Sequence, residues 1–402
     1  MGRTRVWTGE HLYNLLHLSL PELYKLYPDY TKNTIKGKRA YWRKQYKEGK
    51  VKMPPTPEKE PTPTEGQLYK TWEVSAFNRE TNEWETTLNH AYEHNTNEFE
   101  YQAEPARITP SRAKAPTREH KVYFAYGDAQ IDYRNIDGEL IPIHDERAIN
   151  VALQLAKALR PELIVNLGDN VDLSNLSRFK KDSDHFFRTL APSFQRAHDI
   201  YAQLRSDNPD AQIVEVSSNH EVRLRDTILQ HIPNLYDVRR ANEEKEKYPV
   251  MSYPYMANLE RVGVEWIGGY GAAEFVINDD LAFRHGRETG NRTQSAASQI
   301  MRNHPETNNV HGHAHEMSTA YKTTRAGRLL ASVAVGAVCR TDGVVPSYHN
   351  AVDDLNQPVK KQEQWQQGVL AIHDYGQGRY DFRHIPIVDG TAFYEGKEYK
   401  SE

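Results

Sequence analysis

Leu163-Ile-Val-Asn-Leu-Gly-Asp-Asn170 decides how this chain is read. Four of its first five residues are apolar, Pro161 precedes them, and Gly-Asp-Asn follows at once. Such a stretch predicts a short buried strand that hands Asp169 and Asn170 to a loop at its C-terminal end. Upstream, Val122–Tyr126 predicts a second strand, followed by the polar loop Gly127–Asp132. Between the two, Asp145-Glu-Arg-Ala predicts a helix N-terminus, and Ala148, Val151, Ala152, Leu155, Ala156 and Leu159 share one helical face up to Arg160. This is a β-α-β unit, expected to be right-handed, with its loops on one edge of a parallel sheet. The fold class is therefore α/β.

Working outward, Leu173–Leu204 reads mainly as helix, and Ala211–Val216 as a third strand ending at Ser217-Ser-Asn-His-Glu221. Residues 231–260 read as a charged, tyrosine-rich insertion. Val264–Ile267, Glu274–Ile277, Leu281–Phe283, Leu329–Val335 and Val369–Ile372 are expected in a second sheet. A helix around 293–302 precedes Asn309-Val-His-Gly-His-Ala-His315. His311, His313 and His315 alternate, so an extended chain would point all three one way, which is costly unless something binds them.

At the other end, the chain of 402 residues changes character. Residues 1–53 hold twelve Lys and Arg against four acids, although the whole carries −4. Ser19-Leu-Pro-Glu22 resembles a capped helix start, and a further helix from Thr31 carries Lys32, Lys36, Lys38, Arg39, Arg43 and Lys44 among Ile35, Tyr41, Trp42 and Tyr46. Short helices of which the last is the most basic resemble a helix-turn-helix unit, with DNA as the expected partner. On charge alone, a solvated basic face reads equally well. The expected organisation is a basic all-α module (1–52), a Pro-rich linker (53–66), a β-hairpin extension (67–104), a connector (105–120), the main domain (121–390) and a tail (391–402).

No run approaches the roughly 18 apolar residues of a membrane helix, and no apolar signal region opens the chain, so a cytoplasmic location without membrane partners is expected. The single cysteine, Cys339, excludes an internal disulfide framework and a cysteine-cluster metal site; packing is its expected role. Oligomeric state is not legible, a homodimer included.

The strand ends thus present Asp128, Asp169, Asn219 with His220, His285, and His313 with His315. Each singly has a plainer explanation as turn, cap or core residue, but carboxylate, amide and imidazole together suit divalent ions. Their order resembles the calcineurin-like metallophosphoesterases, whose blocks are Asp-x-His, Gly-Asp, Gly-Asn-His-Asp/Glu, His and Gly-His-x-His. Here they read Gly127-Asp128-Ala-Gln130, Gly168-Asp169-Asn170, Ser218-Asn219-His220-Glu221, His285-Gly286 and Gly312-His313-Ala-His315. With its basic head, the chain looks most like phage-encoded members, which would place it in a bacterial host.

The resemblance implies a four-layer α-β-β-α sandwich. It further implies that Asp128, Gln130, Asp169 and His315 hold one ion and that Asp169, Asn219, His285 and His313 hold a second. His220 becomes the general acid, oriented by Glu221, and a hydroxide activated between two ions attacks phosphorus. Mn is the expected metal, with Fe, Zn or Mg as alternatives. Gln130 stands where the family has histidine, which turns that site toward Mn or Mg; Asp132 and His144 are nearby substitutes, read more simply as loop and cap residues. Ser218 replaces a glycine, which would be strained if that position needs positive φ. Arg287 is the expected phosphate clamp, with Arg178, Lys180, Lys181, Arg223 and Arg225 behind it, and Tyr348 and His349 are expected in a loop over the site. The expected activity is a phosphodiesterase acting on DNA. A phosphomonoesterase, a cyclic-nucleotide phosphodiesterase, or a DNA-binding assembly protein with a weakened metal site are the alternatives.

Overall fold

The computed structural model describes residues 14–16, 18–28, 31–47, 70–78, 83–91, 103–111, 118–178, 188–241, 247–289, 294–342 and 364–401. The chain forms two compact units, Met1–Glu98 and Phe99–Glu402. Among the described residues, no helix is long and apolar enough to cross a membrane.

In the first unit, α1 (Leu20–Leu26) starts at a capping box. Glu22 N–H donates to Ser19 Oγ (3.5 Å), and Ser19 N–H donates to Glu22 Oε2 (2.7 Å), so two otherwise orphaned donors are met. Helix α2 (Lys32–Lys47) runs through Gly37. Leu15, Leu23 and Ile35 bury a small apolar cluster edged by Tyr24, Tyr27 and Trp42. Strands β1 (Lys70–Asn78) and β2 (Glu83–Ala91) pair antiparallel, Lys70 facing Ala91; the expected turn between them and the linker at 53–66 lie outside the described residues.

The second unit is mixed α/β and contains two large sheets. Its elements run β3 (Lys121–Tyr126), β4 (Tyr133–Ile136), β5 (Glu139–Pro142), α3 (Glu146–Leu159), β6 (Leu163–Asn166), β7 (Arg188–Thr189), α4 (Ala191–Asp207), β8 (Gln212–Val216), α5 (Val222–His231), α6 (Tyr253–Met256), β9 (Val264–Ile267), β10 (Phe275–Ile277) and β11 (Leu281–Arg284). There follow α7 (Ala296–Asn303), β12 (Asn308–His311), β13 (Met317–Thr323), β14 (Leu329–Val335), β15 (Gly368–Asp374), β16 (Tyr380–Pro386), β17 (Thr391–Tyr394) and β18 (Lys397–Lys400). The six-stranded sheet has the order β16-β15-β3-β6-β8-β9 and the five-stranded sheet β10-β11-β12-β14-β13. Strands β3, β6, β8 and β9 are mutually parallel, so their C-terminal ends open on one edge.

Strand alternation explains the unbroken apolar runs. Val122, Phe124 and Tyr126 of β3, with Ile164 and Ile213, pack on α3 and α4. Tyr123 and Ala125, with Leu163, Val165, Val214 and Val216, turn the other way and share a core with Leu281, Phe283, Val310, Val333 and Val335 of the five-stranded sheet. A strand buried on both faces has no polar side to show in its sequence. Ala334 of β14 packs with Ala296 and Ala297 of α7 in a third, smaller cluster.

Several expectations change. Val264–Ile267 and Val369–Ile372 belong to the six-stranded sheet: β9 pairs with β8, and β15 inserts antiparallel beside β3. The stretch from Leu173 is not one helix, because a 3-10 turn (Ser174–Leu176) and β7 precede α4. Residues 391–400, expected as a tail, form the β17–β18 hairpin, whose Ala392 and Tyr394 enter the core against α3. The insertion at 231–260 contributes Tyr253 and Leu259 to the same core.

Candidate metal centre

Two loops of the six-stranded sheet are joined by main-chain hydrogen bonds: Asp128 N–H to Gly168 O (2.8 Å), Gln130 N–H to Asp169 O (2.8 Å) and Ile131 N–H to Asn170 O (2.9 Å). The five-stranded sheet supplies the facing loops, tied by Gly312 N–H to His285 O (3.1 Å). Between these loops lie two groups able to hold a metal ion, Asp169–His285–His313 and Asp128–Asp169–His315, which share Asp169. Asn219 joins the first through His285 Nε2 (2.8 Å) and Gln130 the second through His315 Nε2 (3.3 Å).

The backbone is strained where these side chains leave it. Asp128 (φ 54°), Gln130 (φ 49°), Asp169 (φ 51°), His313 (φ 66°) and His315 (φ 55°) are all left-handed. Non-glycine residues pay on the order of 1–2 kcal/mol for that conformation, and five of them are gathered here. Ser218 is not among the left-handed residues; the serine that stands for glycine fits, and its hydroxyl lies between Asp169 Oδ1 and Glu221 Oε2. The left-handed turns at 313 and 315 also break the extended path assumed for the three histidines. Only His313 and His315 reach the acids, whereas His311 stays buried, its Nε2 without a partner.

His285 Nδ1–H donates to Leu167 O (2.8 Å), so a neutral His285 directs the lone pair of Nε2 into the site. That lone pair meets Asn219 Oδ1 (2.8 Å), His313 Nδ1 (3.1 Å) and Asp169 Oδ1 (3.5 Å). Burial, helped by His285, pushes His313 down to about 4, so His313 is neutral at physiological pH. Burial would raise the Asp169 carboxyl, but His220, His285 and His313 outweigh it and hold it below the usual carboxylate range. Burial lowers His315, and Cys339 and Asp128 beside it reverse that, leaving it well above an ordinary histidine. Gln130 Oε1 is buried with no hydrogen-bond partner, while the amide nitrogen of the same side chain lies 3.3 Å from His315 Nε2. Carboxylate and amide oxygens and imidazole nitrogens thus converge, and once His315 gives up its proton this all-oxygen-and-nitrogen donor set fits a divalent cation.

His220 sits beside Asp169, Nε2 lying 3.4 Å from Oδ2. Its partner is not Glu221. Asp172 Oδ1 lies 2.8 Å from His220 Nδ1, an ion-pair distance although the angle misses that of a hydrogen bond, and it also holds Arg223 Nη1 at 3.1 Å. Glu221 turns inward and accepts the N–H groups of Asn170 (2.8 Å) and Asp169 (3.3 Å), fixing the loop instead. Burial and the charge of Asp169 raise the Glu221 carboxyl. Asp172 was missed because it reads as a loop residue; its spacing of three from Asp169 was the available signal. Asp132 is a buried structural acid bound by Arg188 (3.1 Å) and Ser174 (2.6 Å), not a substitute ligand. His144 likewise pairs with Glu146 (2.7 Å). Cys339 is buried, Sγ 3.9 Å from His315 Nδ1.

Of the expected phosphate clamps, Arg287 is exposed and lies over the Tyr270 ring (5.2 Å), while Tyr270 meets His285 edge-on (5.9 Å). Arg223 is committed to Asp172, and Arg225 pairs with Asp226. Lys180, Lys181, Tyr348 and His349 lie outside the described residues. In the first unit Lys32, Lys36, Lys38, Arg43 and Lys44 of α2 are exposed and Arg39 is partly buried. Arg43 donates to Leu16 O (3.2 Å), and Lys32 lies over Tyr24 (5.6 Å).

No family model matches the chain, and no curated protein matches it. Among solved structures it is similar to the crystal structure of TT1561 of Thermus thermophilus, at 8% identity and a TM-score of 0.25, over 66% of this chain and 99% of that one. A likeness of that size assigns neither fold nor function.

Proposed function

We propose that this protein is a metal-dependent phosphodiesterase of the calcineurin-like type acting on DNA, its larger unit a four-layer α-β-β-α sandwich. The observation that carries this reading is the convergence of the His285 Nε2 lone pair with Asn219 Oδ1, His313 Nδ1 and Asp169 Oδ1, beside a second group that shares Asp169. Asp128, Gln130, Asp169 and His315 would hold one divalent ion, and Asp169, Asn219, His285 and His313 the other. When bound, the pair supplies an activated water and charge neutralisation at phosphorus. Mn suits the amide-containing set best.

The chain's own residues do the rest. His220 donates a proton from Nε2 to the departing oxygen, and Asp172 beside Nδ1 orients the ring. Glu221 holds the 169–171 main chain by accepting its N–H groups, which keeps Asp169 aimed between the two ligand groups. In the first unit, the exposed lysines and arginines of α2 supply phosphate contacts that localise the enzyme on DNA.

The test is Mn-dependent cleavage of plasmid and oligonucleotide DNA. Asp169→Asn and His220→Ala should abolish it while DNA binding persists; cleavage that survives Asp169→Asn defeats the proposal. Deleting residues 1–53 should flatten the dependence of log affinity on log salt, and an unchanged slope removes the DNA-tether role from the head. Hydrolysis confined to phosphomonoesters would reassign the substrate.

A further inference from the structure

Beside His285 the surface opens into a cavity of about 290 Å³ whose lining includes Tyr270, Gly271, Arg284, Arg287 and His304. The proposed chemistry uses only His285 from this wall. Arg284 is buried (8% exposed); it pairs with Glu274 through Nη2 (2.8 Å), and its Nε has no partner. Arg287 enters none of the ion pairs among the described residues; its guanidinium is presented on the Tyr270 ring instead. Gly271 makes room for it: φ is +99°, and a Cβ built there would overlap Arg287 Nη2. Glu288, the remaining acid of the wall, is engaged by Asn303 Nδ2 (2.7 Å) and by Arg287 N–H (3.0 Å). The recess therefore presents the Arg287 guanidinium beside a candidate metal ligand, with Arg284 answered by Glu274 and Glu288 turned to Asn303 and the Arg287 main chain.

We propose that this recess binds the phosphate next to the scissile one, so that the protein selects a substrate with at least two phosphates in series, a nucleotide strand rather than an isolated diester. The inference rests on the phosphodiesterase reading. An aromatic ring that carries a guanidinium has its face already covered, so the recess recognises an anion rather than stacking a base. Arg287 is then a specificity residue, with Gly271 its positioning residue.

Two small substrates separate the possibilities: thymidine 5′-(p-nitrophenyl phosphate), and the same compound carrying a 3′-phosphate, assayed with Mn on the full chain. The wild-type protein should show a KM about five- to tenfold lower for the compound with two phosphates, the discrimination expected of one charge-assisted contact at a partly exposed site. Arg287→Ala should erase that ratio, and Gly271→Ala should shrink it by displacing the guanidinium without removing it. Arg287→Lys, which keeps the charge, should restore part of it. Hydrolysis of both compounds with equal KM, or a ratio that persists in Arg287→Ala, overturns the recess and leaves the phosphodiesterase standing. Hydrolysis of neither compound, nor of DNA, overturns the phosphodiesterase and the recess with it.

Discussion

Replacing Asp169 with asparagine tests the metal centre without any assumption about substrate. Asp169 is the one residue common to both ligand groups, so a single change removes a carboxylate from each. The folded chain should tolerate it. An amide oxygen in the place of Oδ1 still accepts from Ser218 Oγ and from His220 N–H (3.2 Å). The amide nitrogen, in the place of Oδ2, faces His220 Nε2 at 3.4 Å and can donate a hydrogen bond to its lone pair. The cost in folding is then about 1 kcal/mol. Ion binding should behave quite differently. At a free Mn concentration one hundred times the dissociation constant, binding to the folded state alone adds about 2.7 kcal/mol. For a unit of this size, Phe99–Glu402, that raises the melting temperature by roughly 4 °C. Thermal melts with and without Mn, paired with calorimetric titration, measure both quantities. Wild-type protein should show the full rise and Asp169→Asn little or none. An equal rise in both, or a wild-type protein that binds no divalent ion by titration, refutes the assignment.

Other expectations are more local. Asp172→Asn should lower kcat for DNA cleavage by about 10²–10³-fold and distort the limb of the pH profile that reports a protonated acid, whereas a change in KM alone would refute its role at His220. Gly168→Ala should destabilise the chain by roughly 2–4 kcal/mol in denaturant titrations, because φ is +93° and the new Cβ would lie 2.6 Å from both Ser218 Cβ and Val216 O; a loss below about 1 kcal/mol contradicts that packing. Glu215→Gln addresses the fully buried carboxyl under the site, which burial and the neighbouring Glu221 raise well above 4.5. A carboxyl raised in the folded state holds its proton more tightly folded than unfolded, so stability is complete below pH 4.5 and declines as pH rises toward the folded value. The variant should match wild type near pH 4 and gain on it above, by up to about 1.4 kcal/mol per pH unit; parallel stability curves would refute the buried proton.

How much was legible depended on whether the signal was local. Helix α3 was, because Asp145 caps it by accepting from Arg147 N–H (3.0 Å) and Ala148 N–H (3.2 Å), both within three residues. The β3 and β6 strands and the loops they deliver were legible for the same reason. Sheet membership was not. Val264–Ile267 and Val369–Ile372 are apolar runs with no mark of their partners, and pairing across more than a hundred residues placed β15 against β3. At the site, the neighbour in sequence is not the neighbour in space. Glu221 follows His220 yet serves the 169–171 loop, while Asp172, distant in the chain, faces the imidazole. The histidine alternation failed because left-handed turns replaced the extended chain on which a period of two depends.

The parentage of the ligands has a mechanical meaning. Asp128, Asp169 and Asn219 descend from the six-stranded sheet, and His285, His313 and His315 from the five-stranded one. The two meet here through polar contacts, among them His285 on Leu167 O, His313 N–H on Asp128 and His315 on Asp128. A cation seated between them is a rivet through both plates. It would strengthen the seam beside the core shared by Val165 and Phe283, and if that seam opens early in unfolding the ion would slow unfolding more than it hastens folding. Chelation would then shorten the lifetime of the folded chain long before it altered the chain's shape.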